Sequence, residues 1–335
     1  MSRRCVVTGL GIVSPIGNGK DAFWDALQKG KSGIARITYF DTSQLEVHSA
    51  GEVKDFNPTD YIDETRAQMT GRCVHFALAA VKMCLEDAGI RQQMFDKSRL
   101  AIIGGTTASS CDSLERNFQA ALSDPLGIPP YTLASLVVHA ATAEVSQTLD
   151  LFDSASTVST VCTSGMNAIA AGVKEIRAGR KDIVIAGSTE STIAFYTFVC
   201  YANAGLLVPD DDIPPEKLMR PFDKNRRGGV MSEGAAFVVL EELEHARARG
   251  AYIYGEVAGY GLKDRYIGPK SMRLTMTNSM RAALADARMP ALGIDCISAN
   301  GTSIDRHDKN ETLAIKEVFG ERAYRIPVSA IKSMI

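Results

Sequence analysis

The strongest chemical signal in the sequence is a cysteine, Cys162, at a strand-to-helix turn. It ends a β-branched run over residues 157–161, which predicts a buried strand, and a helical pattern over 165–177 begins directly behind it. A thiol in that position meets free N–H groups and the positive end of a helix dipole, which favour thiolate over thiol. The geometry is that of a nucleophile elbow with sulfur in place of oxygen. The pattern therefore predicts an acyl-transfer enzyme.

A structural interpretation competes with this one, because a cysteine after an apolar strand is more often a small buried hydrophobe. The neighbours Thr163, Ser164 and Gly165 favour a functional role, since small side chains leave room for an acyl group beside the sulfur. Backbone N–H groups in such a turn could also form an oxyanion hole. The remaining cysteines lack this setting and are interpreted as structural: Cys5, Cys73, Cys84, Cys111, Cys200 and Cys296.

A cysteine nucleophile needs a base or an electropositive partner, and the histidines do not supply an obvious one. His75 and His245 lie in predicted helices, where packing or surface roles are more common. His307 lies in a polar stretch, where a solvated histidine is the default, and His48 and His139 carry no motif. The sequence therefore predicts no catalytic histidine.

Polar residues follow two predicted strands in the last third of the chain. Asn300 and Thr302 come after the strand at 296–299, and Lys332 follows the final strand. The carboxyl end of a strand is where α/β sheets present side chains to a cleft. Asn300 could donate an amide hydrogen bond to a thioester carbonyl. Lys332 could pair with Glu311 or be an ordinary surface lysine.

The elements that must position these residues alternate between strands and helices, which predicts α/β layers with a largely parallel, buried sheet. The segment 246–250 is the predicted boundary between two halves. Gly9-Leu-Gly11 and Gly104-Gly105 do not complete a dinucleotide-binding fingerprint, so that fold is the weaker alternative. The predicted strands are 5–7, 100–103, 182–186, 235–241, 253–260, 296–299 and 326–328, and the predicted helices are 20–29, 66–88, 243–249, 271–287 and 311–318.

Composition excludes several classes of protein. The 335 residues are 45% hydrophobic with a net charge of −2, which gives no basic excess for nucleic acid. No run of eighteen apolar residues predicts a membrane span. The seven cysteines are scattered and form no CxxC pair, so reduced thiols are favoured over disulfides or a zinc site. We expect a soluble, cytoplasmic protein.

Several blocks along the chain resemble the β-ketoacyl-acyl carrier protein synthases of the elongating ketosynthase type. The resemblance implies the thiolase fold, in which two similar halves form a five-layered α-β-α-β-α body. Residues 1–248 would be the N-terminal half, with the nucleophile and the dimer contacts. Residues 249–335 would be a C-terminal half that is truncated. The resemblance is carried by Val7-Thr-Gly-Leu-Gly-Ile-Val-Ser-Pro-Ile-Gly17, Val161-Cys-Thr-Ser-Gly-Met-Asn-Ala168, Arg220-Pro-Phe-Asp223, Glu233-Gly-Ala235 and Leu240-Glu-Glu-Leu-Glu-His-Ala-Arg-Ala-Arg-Gly250.

The resemblance also implies roles for individual residues. Cys162 matches the family's acyl acceptor. Asn300 stands where the family's first catalytic histidine precedes Gly-Thr-Ser, with Thr302 in the same motif. Lys332 and Glu311 match a supporting lysine and its acidic partner, and the second histidine would lie past the last residue of the sequence. No metal or organic cofactor takes part in the family's reaction, because phosphopantetheine arrives on the carrier-protein substrate.

Three functions remain open on these grounds. The first is acyl transfer from acyl carrier protein to Cys162, followed by decarboxylative Claisen condensation with malonyl-carrier protein in fatty acid or polyketide synthesis. The second is a non-elongating ketosynthase that only transacylates. The third is a non-catalytic partner subunit of a ketosynthase heterodimer. The expected partners are acyl carrier protein, acyl and malonyl thioesters, and a second subunit in a homodimer or heterodimer. Nucleic acid and membranes are not expected partners.

Overall fold

The fold is described by a computed structural model over residues 3–91, 96–151, 154–210, 213–263 and 271–335. Its strands are β1 Cys5–Ser14, β2 Gly17–Asn18, β3 Ala35–Arg36, β4 Ser49–Ala50, β5 Leu100–Gly105, β6 Ala155–Val158, β7 Ile183–Glu190, β8 Gly234–Glu242, β9 Gly255–Glu256, β10 Ile297–Ser298 and β11 Val328–Ser329. Its α-helices are α1 Lys20–Gln28, α2 Glu64–Met69, α3 Arg72–Asp87, α4 Cys111–Ser123, α5 Thr132–Ser135, α6 Ala140–Thr148, α7 Ser164–Arg177, α8 Phe195–Asn203, α9 Leu243–Ala248, α10 Ser271–Asp286 and α11 Asp305–Phe319.

The chain forms two compact units, and each is discontinuous in sequence. These units are defined by contacts in space and do not test the predicted division of the sequence into residues 1–248 and 249–335, which stays a prediction. The first unit comprises Met1–Lys29, Glu52–Phe198 and Ser232–Val257, and the second comprises Gly30–Gly51, Val199–Met231 and Ala258–Ile335.

The first unit is built on a seven-stranded sheet with the order β2-β1-β8-β7-β5-β6, in which β9 pairs with β1. The expectation of a largely parallel sheet is wrong. Strands β7, β5 and β6 are parallel, whereas β8 is antiparallel to both β1 and β7. In the register of β7 with β8, Glu190 lies opposite Gly234. The chain thus re-enters the sheet at the end where β7 left it, and a parallel neighbour would need a crossover to the opposite end.

Helices cover both faces of this sheet. Alternate strand residues point to opposite faces, and Val239 belongs to the core cluster with α3 while its neighbour Leu240 contacts Gly172 of α7. Helix α3 lies very close to β1, because a Cβ atom added at Gly11 would be 1.8 Å from the Ala80 carbonyl oxygen. Glycine at that position lets the helix backbone approach the strand directly.

The strand before Cys162 is shorter and more exposed than predicted. The structure ends β6 at Val158, and residues 159–163 form a loop whose side chains are mostly exposed. Strand β6 lies at the end of the sheet order and pairs with β5. An edge position explains why a β-branched run is not buried here on both faces.

The predicted helix over 66–88 is two helices, α2 and α3, separated at Thr70 and Gly71. Thr70 is extended, with φ −121° and ψ 161°. A Cβ atom at Gly71 would lie 2.6 Å from the Ser113 hydroxyl oxygen and 2.7 Å from that of Ser110. Tight packing against α4 at this glycine therefore decides where the helical pattern is interrupted.

In the second unit β10 and β11 form a parallel pair, with Ile297 opposite Val328 and Ser298 opposite Ser329. The predicted strand over 253–260 is reduced to β9, which pairs with β1 in the first unit. The predicted helix over 311–318 begins earlier, at Asp305, so His307 lies in its first turn rather than in a loop. Because β10 and β11 are parallel neighbours, the residues that follow them lie at one edge of the pair.

Candidate active site

Cys162 is exposed on the tight turn that joins β6 to α7. The residue before it, Val161, has φ +57°, which is a left-handed conformation that β-branched residues rarely adopt. Backbone strain of this kind persists only where the surroundings hold it, and it clusters at functional turns. The sequence identified the turn and the helix behind it, but the strained residue is visible only in the structure.

Ser164, the first residue of α7, holds this turn closed. Its hydroxyl oxygen accepts from the Thr160 amide at 2.9 Å, and the hydroxyl lies 2.6 Å from the Val161 carbonyl oxygen and 3.1 Å from the Thr106 carbonyl oxygen. Ser164 is 3% exposed. A Cβ atom at Gly105 would lie 2.6 Å from the Ser164 carbonyl carbon, so the start of α7 rests directly on the end of β5.

The side chain of the residue before α7, Thr163, leaves the N-terminal N–H groups of the helix uncapped. Thr163 occupies the N-cap position, but its hydroxyl donates to the Thr160 carbonyl at 2.8 Å and makes no capping bond to the helix amides. A helix N-terminus carries partial positive charge from its N–H groups. Here that charge lies beside the Cys162 thiol, an arrangement that can stabilise negative charge on the sulfur or on a nearby oxygen.

Asn300 lies in the loop after β10, and two charged residues hold it. The carboxylate of Glu311 accepts from the backbone N–H of Asn300 at 2.7 Å and from the backbone N–H of Gly301 at 2.9 Å. The Lys332 ammonium donates to the backbone carbonyl oxygen of Asn300 at 2.6 Å and to its side-chain oxygen Oδ1 at 3.1 Å. An ammonium group only donates, so this contact identifies the side-chain oxygen and leaves Nδ2 as the donor end.

A buried acid that the sequence analysis missed holds the next two residues. Asp308 is 1% exposed and accepts from the amides of Thr302 at 2.8 Å and Ser303 at 3.2 Å. It also accepts from the Phe222 amide at 2.8 Å, which ties in the loop of the Arg220–Asp223 motif. The available signal was an acidic residue in the first turn of a helix, where it can face backbone donors.

Four of the five predicted site residues thus lie in or beside the loop after β10 in the second unit: Asn300 and Thr302 in the loop, Glu311 on α11 and Lys332 after β11. Cys162, the fifth, belongs to the first unit. Lys332 contacts two oxygens of one asparagine, Asn300, and its supporting role stays a prediction.

The other cysteines divide into three groups: buried, half-buried (Cys111) and exposed. Burial raises the pKa of the Cys5 and Cys73 thiols to about 12, and it raises the pKa of Cys84 as well. Cys200 and Cys296, however, are exposed like Cys162. Cys111 also begins a helix, two residues after Ser109 with φ +60°, but it is half-buried, so the strained turn together with exposure distinguishes Cys162.

The histidines that the sequence assigned to packing make local contacts. His75 Nε2 lies 3.1 Å from both the Ala67 carbonyl oxygen and the Thr70 hydroxyl, and burial lowers its pKa. His245 Nδ1 lies 2.6 Å from the buried Glu241 carboxylate. In the described part of the chain, histidine, cysteine and acidic side chains form no metal-binding group of three or more. None of the helices over the described residues has the length and apolar character needed to cross a membrane.

Comparison with known proteins identifies the family. The β-ketoacyl synthase N-terminal domain matches residues 2–246 and its C-terminal domain matches residues 254–335. The 3-oxoacyl-acyl-carrier-protein synthase 2 of Coxiella burnetii (strain RSA 493 / Nine Mile phase I) is 37% identical over 336 residues, which cover 99% of this chain and 81% of that protein.

Two solved structures are similar over the whole chain. The ishigamide ketosynthase/chain length factor has a TM-score of 0.91 and 34% identity, covering 100% of this chain and 81% of that one. A type II polyketide ketosynthase in complex with its acyl carrier protein has a TM-score of 0.89 and 30% identity, covering 100% and 82%. The thiolase fold implied by the sequence is confirmed, and the chain belongs to the β-ketoacyl synthase family of acyltransferase-type condensing enzymes.

Proposed function

We propose that this chain transfers acyl groups from carrier-protein thioesters to Cys162 and then extends them by decarboxylative condensation, in fatty acid or polyketide synthesis. In the first step the Cys162 thiolate attacks the thioester carbonyl, the new C–S bond forms, and the carrier's thiolate leaves and takes up a proton. The observation that carries this proposal is the strained turn, with Cys162 beside a helix terminus that its N-cap residue does not cap.

The second step uses the amide of Asn300. Loss of CO₂ from a malonyl thioester leaves an enolate, whose carbon attacks the acyl-Cys162 carbonyl and releases the Cys162 thiolate. Because Lys332 holds Oδ1, Nδ2 of Asn300 is the end that donates to the thioester or enolate oxygen. Glu311 and Lys332 position Asn300, and Thr302 continues the same loop. No metal or organic cofactor is assigned, since phosphopantetheine belongs to the carrier-protein substrate.

One specific observation favours transacylation without condensation as the second candidate. An asparagine amide donates a hydrogen bond but does not take up a proton near neutral pH, unlike the histidine that the family resemblance places there. Acyl loading of Cys162 would be retained in that case, while enolate formation would lose its proton-carrying group.

A third candidate is a non-catalytic subunit paired with a complete ketosynthase. The similar ketosynthase/chain length factor structure shows that paired ketosynthase-fold subunits exist. The strained turn that exposes Cys162 argues against this candidate, since a purely structural partner has no need of such a thiol.

We also propose that the protein is a homodimer or heterodimer. Helix α4 exposes Leu114, Phe118 and Leu122 at helical spacing, with 52%, 62% and 73% of each residue accessible. Leu126 and Leu133 beyond the helix are 96% and 74% accessible. An apolar surface of this kind is typical of an interface with another subunit. The acyl carrier protein is the other expected partner, and the proposed location is the cytoplasm.

One two-stage experiment separates the catalytic candidates. The protein and its Cys162→Ala variant are incubated with an acyl carrier protein that bears an acyl chain as a thioester, and the acyl adduct is located by peptide mass spectrometry. We expect an adduct on Cys162 alone; absence of any adduct on the folded protein refutes the proposed function. Malonyl-carrier protein is then added. Release of CO₂ with a product longer by two carbons supports condensation, and hydrolysis or acyl return without CO₂ supports transacylation.

A further inference from the structure

Glu190, the last residue of β7, makes a set of hydrogen bonds next to the turn of Cys162. Its Oε1 accepts from the Thr106 hydroxyl at 3.0 Å and from the Ala108 amide at 3.1 Å. Its Oε2 accepts from the Thr107 amide at 2.6 Å. One carboxylate therefore holds three consecutive residues of the loop that follows β5.

That loop supports the turn of Cys162 directly. The Thr106 amide donates to the carbonyl of Val158, the last residue of β6, at 3.1 Å. The Thr106 carbonyl faces the Ser164 hydroxyl at 3.1 Å. Thr106 is 3% exposed. Strands β7, β5 and β6 are parallel neighbours, so Glu190, the loop and Cys162 follow the same edge of the sheet.

We propose that Glu190 is a positioning residue for Cys162, acting through the loop of Thr106 to hold the thiol at the start of α7. This deepens the proposed function, since it rests on Cys162 as the acyl acceptor. Accepting these three hydrogen bonds requires a carboxylate at residue 190 rather than an amide. In glutamine one end could still accept from Thr106 and Ala108, but the other would present N–H groups to the Thr107 N–H, and two donors repel.

The positioning role and the charge of Glu190 predict opposite changes in the reactivity of Cys162 when Glu190 is replaced. A carboxylate near a thiol disfavours the thiolate, so loss of the Glu190 charge by itself would make Cys162 more reactive. Loss of the positioned turn would make it less reactive, because the thiolate is favoured by its place at the helix terminus. Thr106→Val tests geometry with the charge retained, since it removes the hydroxyl that donates to Glu190.

The experiment measures alkylation by iodoacetamide at neutral pH, resolved by cysteine with peptide mass spectrometry, in the full-length protein. We expect Glu190→Gln to slow alkylation of Cys162 at least about fivefold and Thr106→Val to slow it at least about threefold. The exposed Cys200 and Cys296 in the same molecule serve as internal standards. Buried Cys5, Cys73 and Cys84 become labelled only if the fold is lost.

The matched control is Glu175→Gln. Glu175 lies near the far end of α7 and its carboxylate is held by Arg180, at 2.7 and 2.8 Å. We expect this variant to alkylate Cys162 at the parent rate.

A selective slowing at Cys162 in both test variants supports the proposal. Any other pattern overturns it: an unchanged or faster Cys162, slowing in one variant alone, slowing shared by Cys200 and Cys296, or labelling of the buried cysteines. Acyl loading of the parent is measured separately with the acylated carrier protein. Failure there would refute the proposed function, while the alkylation pattern would still decide the role of Glu190.

Discussion

At the scale of single residues, the candidate site depends on groups held by several partners each. Asn300 has its backbone bound by Glu311 and its side-chain oxygen by Lys332. Asp308 gathers three backbone amides in a buried position. Groups held in this way pre-organise hydrogen-bond donors, and pre-organised donors stabilise developing negative charge without having to reorient.

Replacing Asn300 by alanine tests its role as a donor. We expect the condensation rate to fall by about 10²-fold, the usual effect of removing one oxyanion donor. Acyl loading of Cys162 should stay near the parent rate. Asn310→Ala is the control, since Asn310 bonds only to the Arg306 carbonyl among the contacts described on α11. Product formation is measured with labelled malonyl-carrier protein. Equal condensation by parent and variant would rule out a donor role for Asn300.

Replacing Asp308 by asparagine tests the buried acceptor. The amide group would face backbone N–H donors, and we expect the free energy of unfolding to fall by about 2 kcal/mol. The comparison is Asp305→Asn, because Asp305 has 75% of its side chain exposed beside Arg226 and should change stability by under about 1 kcal/mol. Urea denaturation of both variants gives the measurement. Equal losses would show that Asp308 does not organise the loop.

At the scale of elements, glycine contacts decide how close helices lie to the sheet. The Cβ direction of Gly11 meets the backbone of α3, whereas that of Gly255 in β9 meets nothing within 4 Å. Gly105 likewise meets the backbone at the start of α7, whereas Gly71, between α2 and α3, meets the side chains of Ser110 and Ser113. Close-packed interiors do not absorb even one added methyl group where the neighbour is backbone.

Gly11→Ala should therefore lower the free energy of unfolding by about 3 kcal/mol, because the strand or the helix must move to admit the methyl group. Gly255→Ala should stay within about 0.5 kcal/mol of the parent. Both values come from denaturant unfolding of the full chain. A small effect at Gly11 would mean that α3 does not pack against β1 as closely as described.

A second element-scale test concerns the end of β8. Burial raises the pKa of Glu241, but hydrogen bonds from Arg249, Thr8 and His245 outweigh burial and hold the pKa below its ordinary value of 4.5. A lowered pKa in the folded state contributes stability that is complete above that ordinary value and is lost as the pH falls through the folded-state value. The stability advantage of the parent over Glu241→Gln should therefore narrow as the pH falls below 4.5.

The control for this pH dependence is Glu244→Gln, since Glu244 has 71% of its side chain exposed. Its stability difference from the parent should change little over the same range. Thermal unfolding at a series of pH values gives both curves. A constant difference for Glu241→Gln would show that this carboxylate keeps its ordinary pKa in the folded protein.

At the scale of the whole molecule, the exposed apolar residues of α4 support the proposed dimer. Phe118→Asp places a charge at the centre of that surface and should shift the protein to a monomer in sedimentation velocity, because burying an unpaired charge at an interface costs several kcal/mol. Glu115→Asp, on the same helix, should leave the assembly unchanged. A parent that sediments as a monomer without any partner subunit would leave only the heterodimer.

The sequence by itself determined the family and the α/β class, and it predicted five candidate site residues. Motifs are local in sequence, so Cys162 before a helix and Asn300 before Gly-Thr-Ser can be recognised without coordinates. It also gave the helix α7 and the strands β5, β7 and β8 to within a few residues, because their apolar periodicity is strong. It overestimated the burial of the run before Cys162, since periodicity does not distinguish an edge strand from a central one.

Only the tertiary structure showed the hydrogen bonds that hold those motifs, and it alone revealed Glu190 and Asp308. Glu190 is far in sequence from the loop of Thr106, and Lys332 is 32 residues from Asn300, so no local pattern reports their hydrogen bonds. The antiparallel place of β8 likewise depends on where the chain returns to the sheet. Neighbours in sequence determine local conformation, but contacts between distant residues form only in the folded chain. The positioning of Cys162 and Asn300 depends on such long-range contacts.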